Sequence, residues 1–167
     1  KVIPEYLKIF SETINFEKGN LAKIPLIGDN EYISNEIIQQ NITISKQDWD
    51  AHEISWDFLT NEIVALRNQF KEEEETQKDF KLSALVNEYE NRWEDKFMQL
   101  HANEEELNRQ FIDIYGLKDE LTPDVPLNEI TILQKGEITI KNEGPYLGTI
   151  VWHEDVVIKQ LISYLVG

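Results

Sequence analysis

Histidine, carboxylate and tryptophan are the side chains with chemistry to offer in this chain. The three histidines, His52, His101 and His153, stand far apart. None has the H-x-x-x-H or H-E-x-x-H spacing that would aim two ring nitrogens at one metal ion. There is no cysteine, which excludes thiolate ligands, thiol nucleophiles and disulfides. No serine lies in G-x-S-x-G, and no Gly-rich phosphate loop is present. Asp48, Asp50 and Asp57 flank Trp49 and Trp56. Paired carboxylates can do acid–base work, but short polar side chains near helix starts cap them, and capping with solvation is the reading adopted. The four tryptophans, Trp49, Trp56, Trp93 and Trp152, could stack on bases only beside a basic groove. Their neighbours are acidic, so core packing is expected, with Trp56 and Phe58 as a staple onto that core. No catalytic, cofactor-binding or metal-ligating residue is assigned.

The net charge of −16, from 32 acidic and 16 basic residues, argues against a chain that grips DNA phosphates with its whole surface. Lys18, Lys23, Lys46 and Arg67 remain as possible contacts to a DNA backbone. No run of 18 apolar residues exists, so no membrane-spanning helix is expected, and the lack of cysteine fits a cytoplasmic protein. At 167 residues, 41% hydrophobic and 29% charged, the chain has enough apolar content for one ordinary core, with long solvated helices around it. It starts at a lysine and its final run, LISYLVG, reads as an amphipathic helix cut short, so a fragment of a longer protein is expected.

The element that must hold everything else is the stretch 80–115, which contains neither proline nor glycine. Its apolar residues, among them Leu82, Leu85, Val86, Tyr89, Trp93, Phe97, Leu100, Leu107, Phe111, Ile112 and Ile114, recur mostly every three or four positions. This predicts a helix of about 50 Å that needs a partner for its stripe. Gly116 is placed to end it. Residues 59–70 predict the antiparallel partner, followed by a solvated acidic run at 72–75. Upstream, short helices are predicted at 4–13, 30–43 and 46–53, the last two capped by Asn30 and Ser45, with an extended piece at 14–27. Downstream, 129–133 and 137–141 read as a hairpin turning at Lys135–Gly136, with 146–152 as a third strand and a helix at 154–166. The fold class is therefore mainly α: a long antiparallel helical hairpin with short flanking helices and a small β-hairpin. Residues 1–53, 54–122 and 123–167 are the expected divisions.

Three phrases in order carry a family resemblance. Residues 13–26, TINFEKGNLAKIPL, come first; residues 44–58, ISKQDWDAHEISWDF, follow; residues 100–123, LHANEEELNRQFIDIYGLKDELTP, come last. Together they resemble the PglX-type adenine-specific DNA methyltransferases of BREX phage-defence systems, and 161–167 is similar to the same family. The stretch 134–152 has no counterpart in that resemblance. The resemblance implies a parent enzyme that moves a methyl group from S-adenosylmethionine to the N6 of adenine. It also implies that the cofactor loop and the N-P-P-Y motif lie before this segment and target recognition largely after it. Asn142-Glu-Gly-Pro-Tyr146 is only superficially like N-P-P-Y, having one residue too many and glycine where a proline belongs, and reads as a turn.

The segment itself is therefore expected to be a non-catalytic spacer or interaction element, holding no cofactor. It would meet DNA only through the parent and would lie against the catalytic and recognition domains. Two alternatives stand beside this: a protein–protein module that pairs its long helix with a partner or with its own copy, and a DNA-contacting element of the same enzyme.

Overall fold

The computed structural model describes residues 33–73, 81–142 and 148–167, with Gly19 and Gly144 besides. The expected helix at 4–13 and, Gly19 apart, the extended piece at 14–27 lie outside the described residues, as do the side chains of the acidic run at 72–75.

Helix α1 spans Asn35–Asp50, and its first turn is capped by Ser34, whose hydroxyl accepts from the Ile37 N–H. It replaces the two short helices expected here, and the caps at Asn30 and Ser45 are corrected to Ser34. The reason is local. No glycine or proline separates 43 from 46, and Thr43 bonds back to the Gln39 carbonyl at 2.7 Å, so its hydroxyl is satisfied inside the helix. Helix α2 spans Glu62–Glu73. Asn61, buried, caps it by accepting from the Ile63 N–H at 3.0 Å.

Helix α3, Leu82–Ile114, is 33 residues long, or about 50 Å at 1.5 Å per residue. It ends as its glycine predicts. Gly116 takes φ 66°, its N–H donates to the Asp113 carbonyl, and the Leu117 N–H reaches back to the Ile112 carbonyl at 2.9 Å. That pair of bonds is a Schellman motif, open to glycine because no Cβ opposes the left-handed backbone.

The stripe of α3 is buried at Leu85, Val86, Tyr89, Trp93, Phe97, Leu100, Asn103 and Ile112. Two antiparallel partners share it. Helix α2 covers the first half, where Trp93 meets Glu62 and Arg92 meets Gln69. Helix α1 covers the second half, where Asn103 donates to Asn41 at 2.8 Å and to Gln40 at 3.2 Å, and the Ser34 N–H reaches Gln110 at 3.1 Å. The fold is mainly α as expected, but the hairpin partner of α3 comes in two pieces. A 12-residue α2 is too short to line a 33-residue helix.

After α3 the chain is laced back along it. The His101 ring bonds the Val125 carbonyl at 2.7 Å and Glu105 accepts from the Val125 N–H at 3.1 Å. A 3-10 turn at Leu127–Glu129 follows. The strand expected at 129–133 is absent. Ile130, Ile132 and Leu133 are each 1% exposed while Glu129 and Thr131 face out, so the alternation is present, but β1 pairs with 148–152 instead and leaves this run without a ladder partner. Leu133 adopts φ 60°, a left-handed conformation that costs about 1–2 kcal/mol in a non-glycine residue, and Asp48 holds its N–H at 2.9 Å.

The hairpin is formed by the next two runs, β1 at Ile138–Asn142 and β2 at Gly148–Trp152, antiparallel with Ile138 opposite Trp152 and Ile140 opposite Ile150. The Asn142–Tyr146 lookalike leaves β1, and the rest of its turn lies largely outside the described residues. Helix α4, Glu154–Val166, closes the chain with Glu154 and Asp155 in its first turn, where the helix dipole favours negative charge. Its Val157 and Leu161 join Ile44, Ile63, Leu66, the α3 residues from Leu85 to Leu100 that are buried, and Ile130, Ile132 and Leu133 in one hydrophobic cluster.

Candidate functional site

The described residues gather buried polar chemistry in an ion-pair cluster. The cluster ties together the end of α1, the turn before β1 and α4. Glu137, just before β1, is 0% exposed. It accepts from the His52 ring at 2.7 Å, from Gln160 of α4 at 2.7 Å and from the Lys135 N–H at 2.7 Å. The other nitrogen of His52 faces the Asp48 carbonyl at 2.7 Å. Both ring nitrogens thus point at acceptors, and Glu137 faces only donors. The arrangement is satisfied by an imidazolium and a carboxylate. The Glu137 carbonyl also takes the His153 N–H at 2.8 Å, at the start of α4.

The titration shifts agree with that geometry. Burial would raise the Glu137 carboxyl, but the bonds from His52 and Gln160 outweigh it and hold the group below its ordinary range. The hydrogen bond to Glu137 raises His52, against burial, which lowers it. Asp48 is pushed up by burial.

The sign of the pH dependence follows from the two directions. The raised His52 stabilises the fold fully below its ordinary value of 6.5, and this is lost as pH climbs through the folded value. The depressed Glu137 stabilises it above 4.5, and this is lost as pH falls through its own folded value. Since Asp48 and other carboxyls titrate too, the pair is isolated by difference. The gap in thermal midpoint between the wild type and His52→Gln is expected to be widest between roughly pH 5 and 6.5 and to close in alkali. A gap that stays constant from pH 5 to pH 9 would show that His52 is neutral in the fold.

No spacing rule in the sequence links His52 to Glu137. They are 85 positions apart, and Glu137 opened a run read as a strand. A hint lay only in a glutamate placed beside Gly136, where a turn buries it. The other histidines are also engaged, His101 as above and His153 with Thr139 at 2.6 Å. Among the described residues no group of three or more His, Cys, Asp or Glu is arranged to hold a metal ion.

The carboxylates near the tryptophans do not cap helix starts. Asp48 holds Leu133, while Asp50 accepts from Ser55 at 2.7 Å and from Lys46 at 2.6 Å. Asp57 takes Lys46 as well, at 2.8 Å. Lys46, a proposed DNA contact, is therefore held between two carboxylates, with Asp50 first among the causes that raise its pKa. Arg67 is exposed on α2, and Lys18 and Lys23 lie outside the described residues.

The tryptophan expectation is half corrected. Trp93 is 1% exposed, donates its ring N–H to Glu62 and carries the Lys96 ammonium 4.0 Å above its ring. Trp152 is partly buried, edge-on to Tyr89 at 6.0 Å. Trp49 and Trp56, by contrast, are 51% and 101% exposed. Trp56 is no staple, because buried Ser55 turns inward to bond Asp50 and accepts from the Asp57 N–H, which leaves the residue between them facing out. Phe58 does pack, edge-on against Tyr164 at 5.8 Å. No helix among the described residues is long and apolar enough to cross a membrane.

No protein-family model matches the chain. Two relatives do. Over 127 residues, 76% of this chain and 10% of the relative, it is 35% identical to the adenine-specific methyltransferase PglX of Lacticaseibacillus casei (strain Zhang). Over 171 aligned residues, 100% of this chain and 12% of the relative, it is 27% identical to the adenine-specific methyltransferase BrxX of Escherichia coli O9:H4 (strain HS). The chain thus spans about a tenth of the length of the relatives it matches, and the resemblance carried by its three phrases is borne out.

Proposed function

Similar in sequence to a segment of the PglX-type adenine-specific methyltransferases, this chain is, we propose, the structural connector of such an enzyme. The parent would methylate the N6 of adenine in a specific DNA site, using S-adenosylmethionine, as part of cytoplasmic BREX phage defence. The connector would carry no catalytic group of its own. The observation that supports this reading most is where its polar side chains are engaged. His52, Glu137, Asp48, Asp50 and Lys46, the groups that could act on a ligand, are bonded to one another or to the backbone of the fold. A helix of 33 residues, clamped on one side by α1 and α2, is suited to hold two flanking domains at a fixed separation. The DNA-contacting alternative has less behind it, since Lys46 already answers two carboxylates.

The purified chain is expected to give no heat of binding when titrated with S-adenosylmethionine in a calorimeter, and no methyl transfer to DNA. Saturable binding of the cofactor would overturn the connector reading.

A further inference from the structure

Between α1 and the stretch 57–65 runs an open groove of about 460 Å³, lined by Ile42, Lys46, Asp57, Leu59 and Ala65 among others. Its apolar residues are unusually bare: Ile42 is 53% exposed and Leu59 89% exposed. Trp49 lies seven residues after Ile42 on α1, two turns along the same face, and Trp56 precedes Asp57 at the groove's rim. Large apolar side chains grouped in this way mark a surface that another body covers. The ionic character of the rim is acidic. Among the described lining residues the cation Lys46 is held by Asp50 and Asp57, Glu62 lines the groove as well, and Lys135 stands outside the lining, 5.5 Å from the Trp49 ring. The whole chain carries −16.

We propose that this groove is a docking site for a basic amphipathic segment elsewhere in the same longer polypeptide, one that seats apolar anchors against Ile42, Leu59 and Trp56 and sets Lys or Arg against the exposed carboxylate of Asp57. Two observations select that occupant. The chain spans only 10% and 12% of its relatives, so in a protein of their length most of the polypeptide lies outside it. The charge of the rim is complementary to a cationic partner and repels a second copy of this acidic chain. An amphipathic helix in a groove supplies both the anchors and the flanking charges. The proposal rests on the connector reading above.

The test uses the full-length polypeptide that contains this segment, with the photo-crosslinker p-benzoylphenylalanine in place of Trp56. The expected product is a single intramolecular crosslink, identified by mass spectrometry, to a Lys- or Arg-containing apolar peptide outside these 167 residues. Asp57→Lys should cut its yield several-fold. Absence of a crosslink would overturn the proposal. So would a product of doubled mass, a crosslink to residues 1–32 or to another protein, or a yield indifferent to Asp57→Lys. Adenine methylation by the same polypeptide without the crosslinker keeps the two ideas apart. Activity without the crosslink removes the docking site alone, whereas a polypeptide that methylates no adenine removes the connector reading.

Discussion

Glu137→Ala is expected to lower the stability of the chain by about 3–5 kcal/mol, the cost of breaking a buried ion pair from one side. For a chain of this size that corresponds to a fall of roughly 10 °C in thermal midpoint. The size of the effect comes from what is left behind. Glu137 is 0% exposed and receives three donors, so its removal strands the His52 imidazolium, the Gln160 amide and the Lys135 N–H with no acceptor. It also loosens the seam where the end of α1, the turn before β1 and the start of α4 meet. His52→Ala should cost less, because Glu137 keeps two donors. The double variant should cost clearly less than the two singles added, since the stranded partner is then gone as well. Denaturant or thermal unfolding of the four proteins measures this. Additive effects within about 0.5 kcal/mol would mean that the two side chains are not coupled.

Phe97→Ala is expected to cost about 3–5 kcal/mol through the cavity it opens. Phe97 is 0% exposed and sits midway along α3, between Trp93 and Leu100, themselves 1% and 2% exposed. No flexible neighbour is free to collapse into the space, as all three lie in the cluster that joins the helices. Met98, one residue on, is 45% exposed, and Met98→Ala should change stability by no more than about 0.5 kcal/mol. The contrast between adjacent positions checks the orientation of α3 directly. Equal effects at 97 and 98 would mean that the buried stripe is misplaced.

Local periodicity and chain punctuation were legible in the sequence. The run from Leu85 to Leu100 announced the face of α3, Gly116 its end, and the acidic residues at 154 and 155 the start of α4. What could not be read depended on distant partners. Ile130 and Ile132 alternate with exposed Glu129 and Thr131 like a strand, yet β1 takes 148–152 as its partner and Leu133, held by Asp48, turns the chain away with φ 60°. Trp56 looked like core by its type alone, while the polar residues on either side of it decided that it faces out. The His52–Glu137 pair is a contact across 85 residues between two side chains that share no motif. The family resemblance came from the ordered phrases and owed nothing to these contacts.

The connector role stands or falls with the continuity of α3. In the full-length polypeptide, Met98→Pro places a proline on the exposed side of the helix, where it removes a backbone bond and clashes with the preceding turn at a cost of about 3 kcal/mol or more. The account predicts that S-adenosylmethionine binds with unchanged affinity while methylation of adenine in the target DNA is lost. Methylation at the wild-type rate, with α3 broken in this way, would contradict it.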